Sequence, residues 1–372
     1  MDSINERFEL IIKNIAEPID KFLLTSEDLE KLLEEKKSGR SYIGYEPSGP
    51  IHIGYLPTIE KIKDLKKAGF RTAVLLADLH ALLNRKGPVD LIKDVALTYW
   101  KETFKALGVD ADYVLGSSYQ LSEDYVFDLY VLSERTRVKE AWKAMSMIAR
   151  EAEDPTVSQY LYPLMQALDI LYLECDIAFG GTDQLKIHVL ARTLFAERDL
   201  ILRHEKWVPV AFHTPIITGL TGDKMSSSKP KTHIATFDTP KTIKRKMVNA
   251  YCPPKITDPD ANPIFAFLQY IIMPYEDKFL VERPEKYGGD ILYNDFESIK
   301  RDYEDEKVHP LDLKNSIAKY FIKRLENARK VYEKDPDILK PVFELQKWQW
   351  EHGMISKEAW EALKKEYDKY FK

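Results

Sequence analysis

Tyr42-Ile43-Gly44-Tyr45-Glu46-Pro47-Ser48-Gly49-Pro50-Ile51-His52-Ile53-Gly54 is the stretch on which the fold turns. Tyr42–Tyr45 reads as a short buried strand, and Glu46–Pro50 as a loop by its proline and glycine content. Helical periodicity begins near Ile53 and stops at Gly69, a C-cap after Lys66, Lys67 and Ala68. The run Thr72-Ala73-Val74-Leu75-Leu76-Ala77 then reads as a continuous apolar strand, the kind a sheet covered on both faces requires. Strand, loop, helix and strand within about 35 residues make a βαβ unit, which implies a parallel sheet with right-handed crossovers.

Further units extend this pattern. Leu91–Leu107 reads as helix and Tyr113–Leu115 as strand. Two long helical stretches, 121–151 and 156–173, lead to a strand at Asp176–Phe179. Gly180-Gly181 breaks the pattern before a helix from Asp183, and Val208–Phe212 is the last strand. Residues 1–38 read as helices, one starting at Ser26. From Pro240 onward the chain reads as helical, with Ala318, Phe321, Ile322, Leu325, Ala328 and Tyr332 on one face. The expected class is α/β: a Rossmann-type parallel-sheet domain over residues 1–235, with a helical insertion at 116–160, followed by an all-helical domain over 236–372. The last 40 residues, rich in Trp, Lys and Glu, read as one or two added helices.

Composition bounds the function. The chain has 372 residues, 44% hydrophobic and 31% charged, which is foldable without staples. Its two cysteines, Cys175 and Cys252, are far apart and form no CxxC, so no disulfide framework or zinc cluster can be argued. Both read as small core residues, in keeping with a reducing cytoplasm. The N-terminus MDSINERFEL lacks the basic and apolar runs of a signal peptide, and no run of 18 apolar residues predicts a membrane span. With a net charge of -5, bulk charge does not announce a nucleic-acid partner, so any RNA must be met by local basic patches.

Two loops carry candidate chemistry. The segment Pro47–Gly54 joins a strand's carboxyl end to a helix N-terminus, where α/β sheets bind ligands and where the helix dipole favours phosphate. Gly54 would let a flat adenine approach the backbone, and His52 could donate to phosphate oxygens. Taken alone, the motif reads equally as a capped helix start with a packing glycine. The second loop is Lys224-Met225-Ser226-Ser227-Ser228-Lys229, preceded by the Gly/Thr-rich Thr218–Asp223. A lysine followed by three hydroxyls suits a mobile arm that closes on a triphosphate and offsets charge developing on pyrophosphate. A solvated loop or phosphorylation site is the alternative. A third cluster, Tyr162, Gln166 and Asp169, shares one face of an otherwise apolar helix and needs partners if buried.

The two loops together, in this order around a Rossmann-type sheet, resemble the class I aminoacyl-tRNA synthetases. The chain is most similar to the tyrosyl-tRNA synthetases of archaeal/eukaryotic type. The carrying segments are Tyr42–Gly49, Leu75–Ala81, Tyr162–Ile170, Gly180-Gly181-Thr182-Asp183-Gln184 and the KMSSS run, and the likeness spans about residues 5–330.

The resemblance implies an ATP-dependent ligase that makes tyrosyl-AMP and charges tRNA(Tyr), working as a homodimer. ATP is a substrate, Mg2+ arrives with it, and no protein-held metal is expected. It implies that Tyr162, Gln166 and Gln184 hold the amino group of tyrosine, that Tyr42 and Asp169 meet its phenol, and that Leu75 and His80 form the pocket wall. Glu46, Pro47, Ser48, Gly49, His52 and Gly54 fall to the ATP side, with Lys224, Met225, Ser226, Ser227 and Ser228. Of these, His52, Lys224, Ser226 and Ser227 are the catalytic candidates. Asp78, at a strand end, could meet ribose or amine, or be a satisfied structural residue. The helical insertion would grip the acceptor end or a partner subunit. Lys143 and Lys186 lie where the family meets the first base pair. Tyr287, His309 and Asp312 lie in segments that match its anticodon readers. Three positions depart from relatives: Lys143 and Leu185 stand where archaeal chains often carry arginine, and Tyr55 stands where the bacterial-type motif ends in histidine.

Overall fold

A computed structural model describes residues 3–148, 154–223 and 225–371. The central sheet has six strands: β1 (Leu23–Leu24), β2 (Gly39–Tyr45), β3 (Phe70–Leu76), β4 (Asp112–Leu115), β5 (Ile177–Gly181) and β6 (Val210–Thr214). They lie in the order β1-β6-β5-β2-β3-β4. All neighbours are parallel except β1, which runs antiparallel to β6. β2 is central, pairing Tyr42 with Ala73 on one side and Ala178 on the other. The apolar run of β3 is buried on both faces, with Ala73, Val74, Leu75 and Leu76 all at 0% exposure.

The βαβ unit forms as its sequence predicts. A short 3-10 turn, Ile53–Tyr55, starts the helix Leu56–Lys67. The chain leaves it through Gly69 at φ +90, where a Cβ would sit 2.7 Å from Lys37 O, so this stop requires glycine.

Several elements differ from the sequence pattern. β1 interrupts a segment expected to be helical, while the helix expected from Ser26 runs Ser26–Glu35, capped by Thr25. The stretch Leu91–Leu107 carries a π-helical segment, Val95–Trp100, inside its α-helical ends. The extra residue per turn lets adjacent Tyr99 and Trp100 both be fully buried. β5 runs on through Gly180-Gly181 instead of breaking there. The stretch 121–151 is two helices, Glu123–Arg135 and Val138–Met145, and its last residues lie outside the described ones. Of the cysteines, Cys175 is fully buried but Cys252 is only partly so, with its sulfur 3.2 Å from the Tyr303 hydroxyl.

The chain divides into two compact units. Unit 1 comprises residues 1–48, 58–101 and 109–215, and holds the six-stranded sheet. Unit 2 comprises 49–57, 102–108 and 216–372, so short pieces from within the first 108 residues belong to the later body. The sequence pattern had drawn one cut near residue 235. Unit 2 is largely helical, and adds a two-stranded ribbon, β7 (Phe279–Val281) with β8 (Ile291–Tyr293), that the periodicity did not announce. Its apolar face is buried at Ala318, Phe321, Leu325, Ala328 and Tyr332, while Ile322 is half-buried. The Tyr332 hydroxyl lies 2.7 Å from Thr103 Oγ1 and 2.9 Å from Thr236 Oγ1, tying three chain segments together.

Candidate active site

In unit 1, the helix Val157–Tyr172 brings Tyr162, Gln166 and Asp169 inward, at 6%, 7% and 0% exposure. A solvated face is therefore excluded for this stripe. The helix is started by a capping box between Thr156 and Gln159.

Asp169 is the most heavily bonded of the three. Its Oδ1 accepts from Tyr119 Oη at 2.7 Å, Gln120 Nε2 at 2.7 Å and Tyr125 Oη at 2.8 Å. Its Oδ2 accepts no hydrogen bond among the described residues and lies 3.4 Å from His80 Nε2. Burial pushes the Asp169 carboxyl up to about 7, against the pull of those three donors. Burial likewise pushes His80 down to about 4, so its imidazole is neutral at pH 7.

Tyr42 lies nearby, its phenol pushed well above the ordinary value, first by burial and then by the Asp169 charge. A Cβ on Gly44 would come 2.8 Å from the Tyr42 hydroxyl, so the ring curls over a position that only glycine leaves free. Tyr42 itself is buried, at 1% exposure. The Tyr42 hydroxyl has no hydrogen-bond partner among the described residues. Leu75, on the neighbouring strand, packs in the same buried cluster.

Tyr162 Oη donates to Glu46 Oε1 at 2.8 Å, and its ring meets that of His80 edge-on at 4.7 Å. Glu46 also accepts from Asn84 Nδ2 at 2.9 Å and lies 3.7 Å from Lys86 Nζ. Glu46, placed by its sequence on the ATP side, is thus joined to the residue placed on the amino group. Gln166 Nε2 donates to Gln184 Oε1 at 3.1 Å, and Gln184 Nε2 to Asp183 Oδ1 at 3.1 Å. Gly180 makes room for this, since a Cβ there would meet Gln184 Cγ at 2.8 Å. Asp78 accepts from Ser117 N at 2.9 Å and leaves Oδ2 without a partner among the described residues.

Tyr119, Gln120 and Tyr125 escaped the sequence pattern. They follow the carboxyl end of β4, through a turn closed by Gly116, where a Cβ would strike Gln120 Oε1 at 2.5 Å. The only signal available was their place after a strand's carboxyl end.

In unit 2, the two loops meet. Ile53 N donates to Ile234 O at 3.0 Å and Thr236 N to Ile51 O at 3.0 Å, so the signature segment is stitched to the chain just after the serine run. His52 Nδ1 accepts from Gly54 N at 3.2 Å, which leaves the ring proton on Nε2. Burial, then Lys246, pushes His52 down to about 3, so it is a neutral donor at pH 7. A Cβ on Gly54 would meet His52 Nδ1 at 2.9 Å and Met225 Sδ at 3.0 Å. Ser227 Oγ donates to Pro50 O at 3.3 Å, and Ser226 and Ser228 share a hydroxyl contact at 2.9 Å. His233 Nδ1 donates to Ser226 O at 3.0 Å. Lys224 lies outside the described residues. Pro47 and Ser48 sit in the loop of unit 1, Ser48 N donating to Glu46 O at 2.8 Å.

The RNA candidates are spread out. Lys143 is exposed on the helix Val138–Met145, and Lys186, half-buried, opens the helix Leu185–Ala196. In unit 2, Tyr287 is 62% exposed, with Lys286 Nζ 4.8 Å over its ring. His309 is the N-cap of the helix Pro310–Arg324, its Nδ1 accepting from Leu311 N at 3.2 Å. Asp312 lies in the first turn of that helix and does not cap it.

Comparisons with known proteins agree in kind. Residues 34–326 match the family model described as class I tRNA synthetases (W and Y). A tyrosine–tRNA ligase of Archaeoglobus fulgidus is 46% identical over 330 residues, covering 88% of this chain and 98% of the relative. A solved tyrosyl-tRNA synthetase from that organism, complexed with L-tyrosine, aligns at a TM-score of 0.81 with 46% identity over 88% of this chain and 99% of that one. Its counterpart from Pyrococcus horikoshii, also with L-tyrosine, aligns at 0.84 with 33% identity, over 92% of this chain and 99% of that one.

Proposed function

The chain belongs to the class I tRNA synthetases of the tryptophan and tyrosine family, and we propose that it is their tyrosine member, activating L-tyrosine with ATP and loading it onto tRNA(Tyr). The observation that carries the choice of amino acid is Asp169, fully buried with one oxygen saturated by three donors and the other unmatched, beside the unpartnered hydroxyl of Tyr42. A phenol satisfies both: it donates to the carboxylate and accepts from the tyrosine. Phenylalanine would leave both unpaired. A site built to hydrogen-bond a substrate hydroxyl strongly rejects the analogue that lacks it, and tyrosyl-tRNA synthetases are the standard illustration of that rule. Gln166, Gln184 and Tyr162 take the amino group.

The first step is in-line attack of the tyrosine carboxylate on the α-phosphorus of ATP, giving tyrosyl-AMP and pyrophosphate. The carboxylate is already a nucleophile, so no general base is needed and the protein's work is positioning and charge stabilisation. His52 donates from Nε2 to the phosphate chain as a neutral ring. Gly54 and Gly49 let His52, Met225 and Ser227 close in on the first loop, and Lys224 with Ser226, Ser227 and Ser228 holds the leaving pyrophosphate. ATP brings Mg2+ on its β- and γ-phosphates. The terminal ribose hydroxyl of tRNA then attacks the adenylate carbonyl. Lys143 and Lys186 meet the acceptor end, and Tyr287 and Asp312 meet the anticodon by stacking and by accepting from a base edge.

The enzyme works as a cytoplasmic homodimer through the insertion. This is supported by Phe127, Tyr130 and Ile201, which are 43%, 66% and 80% exposed around a cleft of about 410 Å³. Among the described residues no helix is long and apolar enough to cross a membrane.

The decisive experiment is ATP–pyrophosphate exchange across amino acids. Exchange driven by tyrosine is expected. Exchange driven only by tryptophan would overturn the choice, and none with any amino acid, while tRNA still bound, would make the chain an idle RNA-binding relative.

A further inference from the structure

The helices Lys340–Glu351 and Lys357–Tyr367 lie beyond residue 326, where the family match ends. They are fastened to the segment that follows the serine run. Thr242 Oγ1 donates to Glu366 at 2.9 and 3.0 Å, and Tyr370 Oη donates to Phe237 O at 2.6 Å. The Tyr367 ring packs on Phe237 at 4.7 Å.

The first of these helices carries Gln346, at 0% exposure, whose Nε2 donates to Gln349 Oε1 at 2.6 Å. A Cβ built on Gly49 would lie 3.3 Å from Gln346 Nε2 and 2.9 Å from Ser227 Cβ. Gly49 and Ser227, one from each nucleotide loop, therefore meet Gln346 at a single point. Gln346 Oε1 is buried and without a hydrogen-bond partner among the described residues, a cost that a leucine or methionine there would not incur.

We propose that Gln346 is a positioning residue for adenylate formation, acting through Gly49 and Ser227, and that the C-terminal helical pair braces the serine loop against Gly49-Pro50. The proposal rests on the tyrosine-ligase reading above. Ser227 is otherwise held to the first loop by one long hydrogen bond, at 3.3 Å to Pro50 O, so a rigid wall behind it lowers the cost of keeping the loop engaged. A neutral amide suits the place, since a carboxylate beside a triphosphate would repel it.

The test compares full-length wild type with Gln346→Met, which keeps length and apolar fill but removes the amide. In pyrophosphate exchange, KM for ATP is expected to rise about tenfold with KM for tyrosine within twofold, and Gln346→Asn is expected to recover part of the loss. A second readout needs no amino acid: tryptic cleavage between Thr218 and His233 in the free enzyme is expected to quicken in Gln346→Met, at unchanged circular dichroism. Equal cleavage rates, or equal KM values for ATP, would overturn the brace even with tyrosine exchange intact. Absence of tyrosine-driven exchange in wild type would instead overturn the functional reading, and the cleavage rates would then judge the brace alone.

Discussion

Tyr162 Oη and Glu46 Oε1 stand 2.8 Å apart across 116 residues of chain, joining the helix Val157–Tyr172 to the loop that follows β2. Burial first, and then Glu46, push the Tyr162 phenol well above its ordinary value, so it remains a donor at any working pH. Tyr162→Phe removes that donor and leaves Glu46 with Asn84 and Lys86. The expected cost in folding stability is about 1 kcal/mol by urea denaturation, with a larger effect on KM for tyrosine than on KM for ATP.

Asp169→Asn keeps the shape of the carboxylate and discards its charge. The three donors on Oδ1 can remain, while the unmatched side becomes an NH2 that only donates and can no longer accept from a phenol. We expect kcat/KM for tyrosine to fall about 100-fold and the preference for tyrosine over phenylalanine to shrink with it. In the wild type, raising the pH through about 7 ionises Asp169, so kcat/KM for tyrosine should climb to a plateau above that value. The climb should be missing in Asp169→Asn. A pH profile of equal shape in both proteins would take Asp169 out of phenol recognition.

Gly54→Ala sets a methyl 2.9 Å from His52 Nδ1 and 3.0 Å from Met225 Sδ. The methionine can yield, but the histidine ring is packed between Tyr55 and His233. KM for ATP should rise by about tenfold while KM for tyrosine stays put, in the exchange assay.

Buried histidines make the fold acid-sensitive. Burial lowers His52 to about 3, and His80 and His213 to about 4, from 6.5. His188 and His233 are also pushed well below it. Between those folded values and 6.5, the unfolded chain binds more protons than the folded one, so stability is lost as the pH falls below 6.5. Asp169, raised to about 7, and Asp238, also raised by burial, work the other way but are two groups against five. The urea midpoint should therefore drop between pH 7 and pH 5. A midpoint that holds or rises would show that these rings titrate freely.

How far the site could be read from sequence depended on how each residue is presented. Asp169 sits in a regular helix, so an i, i+4, i+7 stripe exposed it, whereas Tyr42 was placed at the phenol only through the family resemblance. Tyr119, Gln120 and Tyr125 come from an irregular turn and the helix start after it, where no period applies, and only the folded chain shows that they saturate Asp169. Gly180 misled for a related reason: it accommodates the Gln184 side chain inside a strand that runs on to Gly181 before the turn at Thr182. The assignment of unit 2 was likewise hidden, because 49–57 and 102–108 join it by contacts far away in sequence.

The anticodon candidates separate binding from folding. His309 already caps its helix, so Asp312→Ala should cost less than about 1 kcal/mol, the first-turn charge alone. Aminoacylation of tRNA should nevertheless fall about tenfold, while tyrosine-dependent exchange stays unchanged. Equal loss in both assays would place Asp312 in the structural frame.

Tyr332, bonded to Thr103 and Thr236, sets an order on the protein's birth. During vectorial synthesis, residues 49–57 and 102–108 leave the ribosome long before the helix that receives them, and must wait, unclaimed, while the sheet around them assembles. The nascent chain thus completes unit 2 last. A polypeptide stalled before residue 332 would lack the hydroxyl that ties the fragment 102–108, through Thr103, to the segment at Thr236, leaving that fragment as a natural foothold for a chaperone.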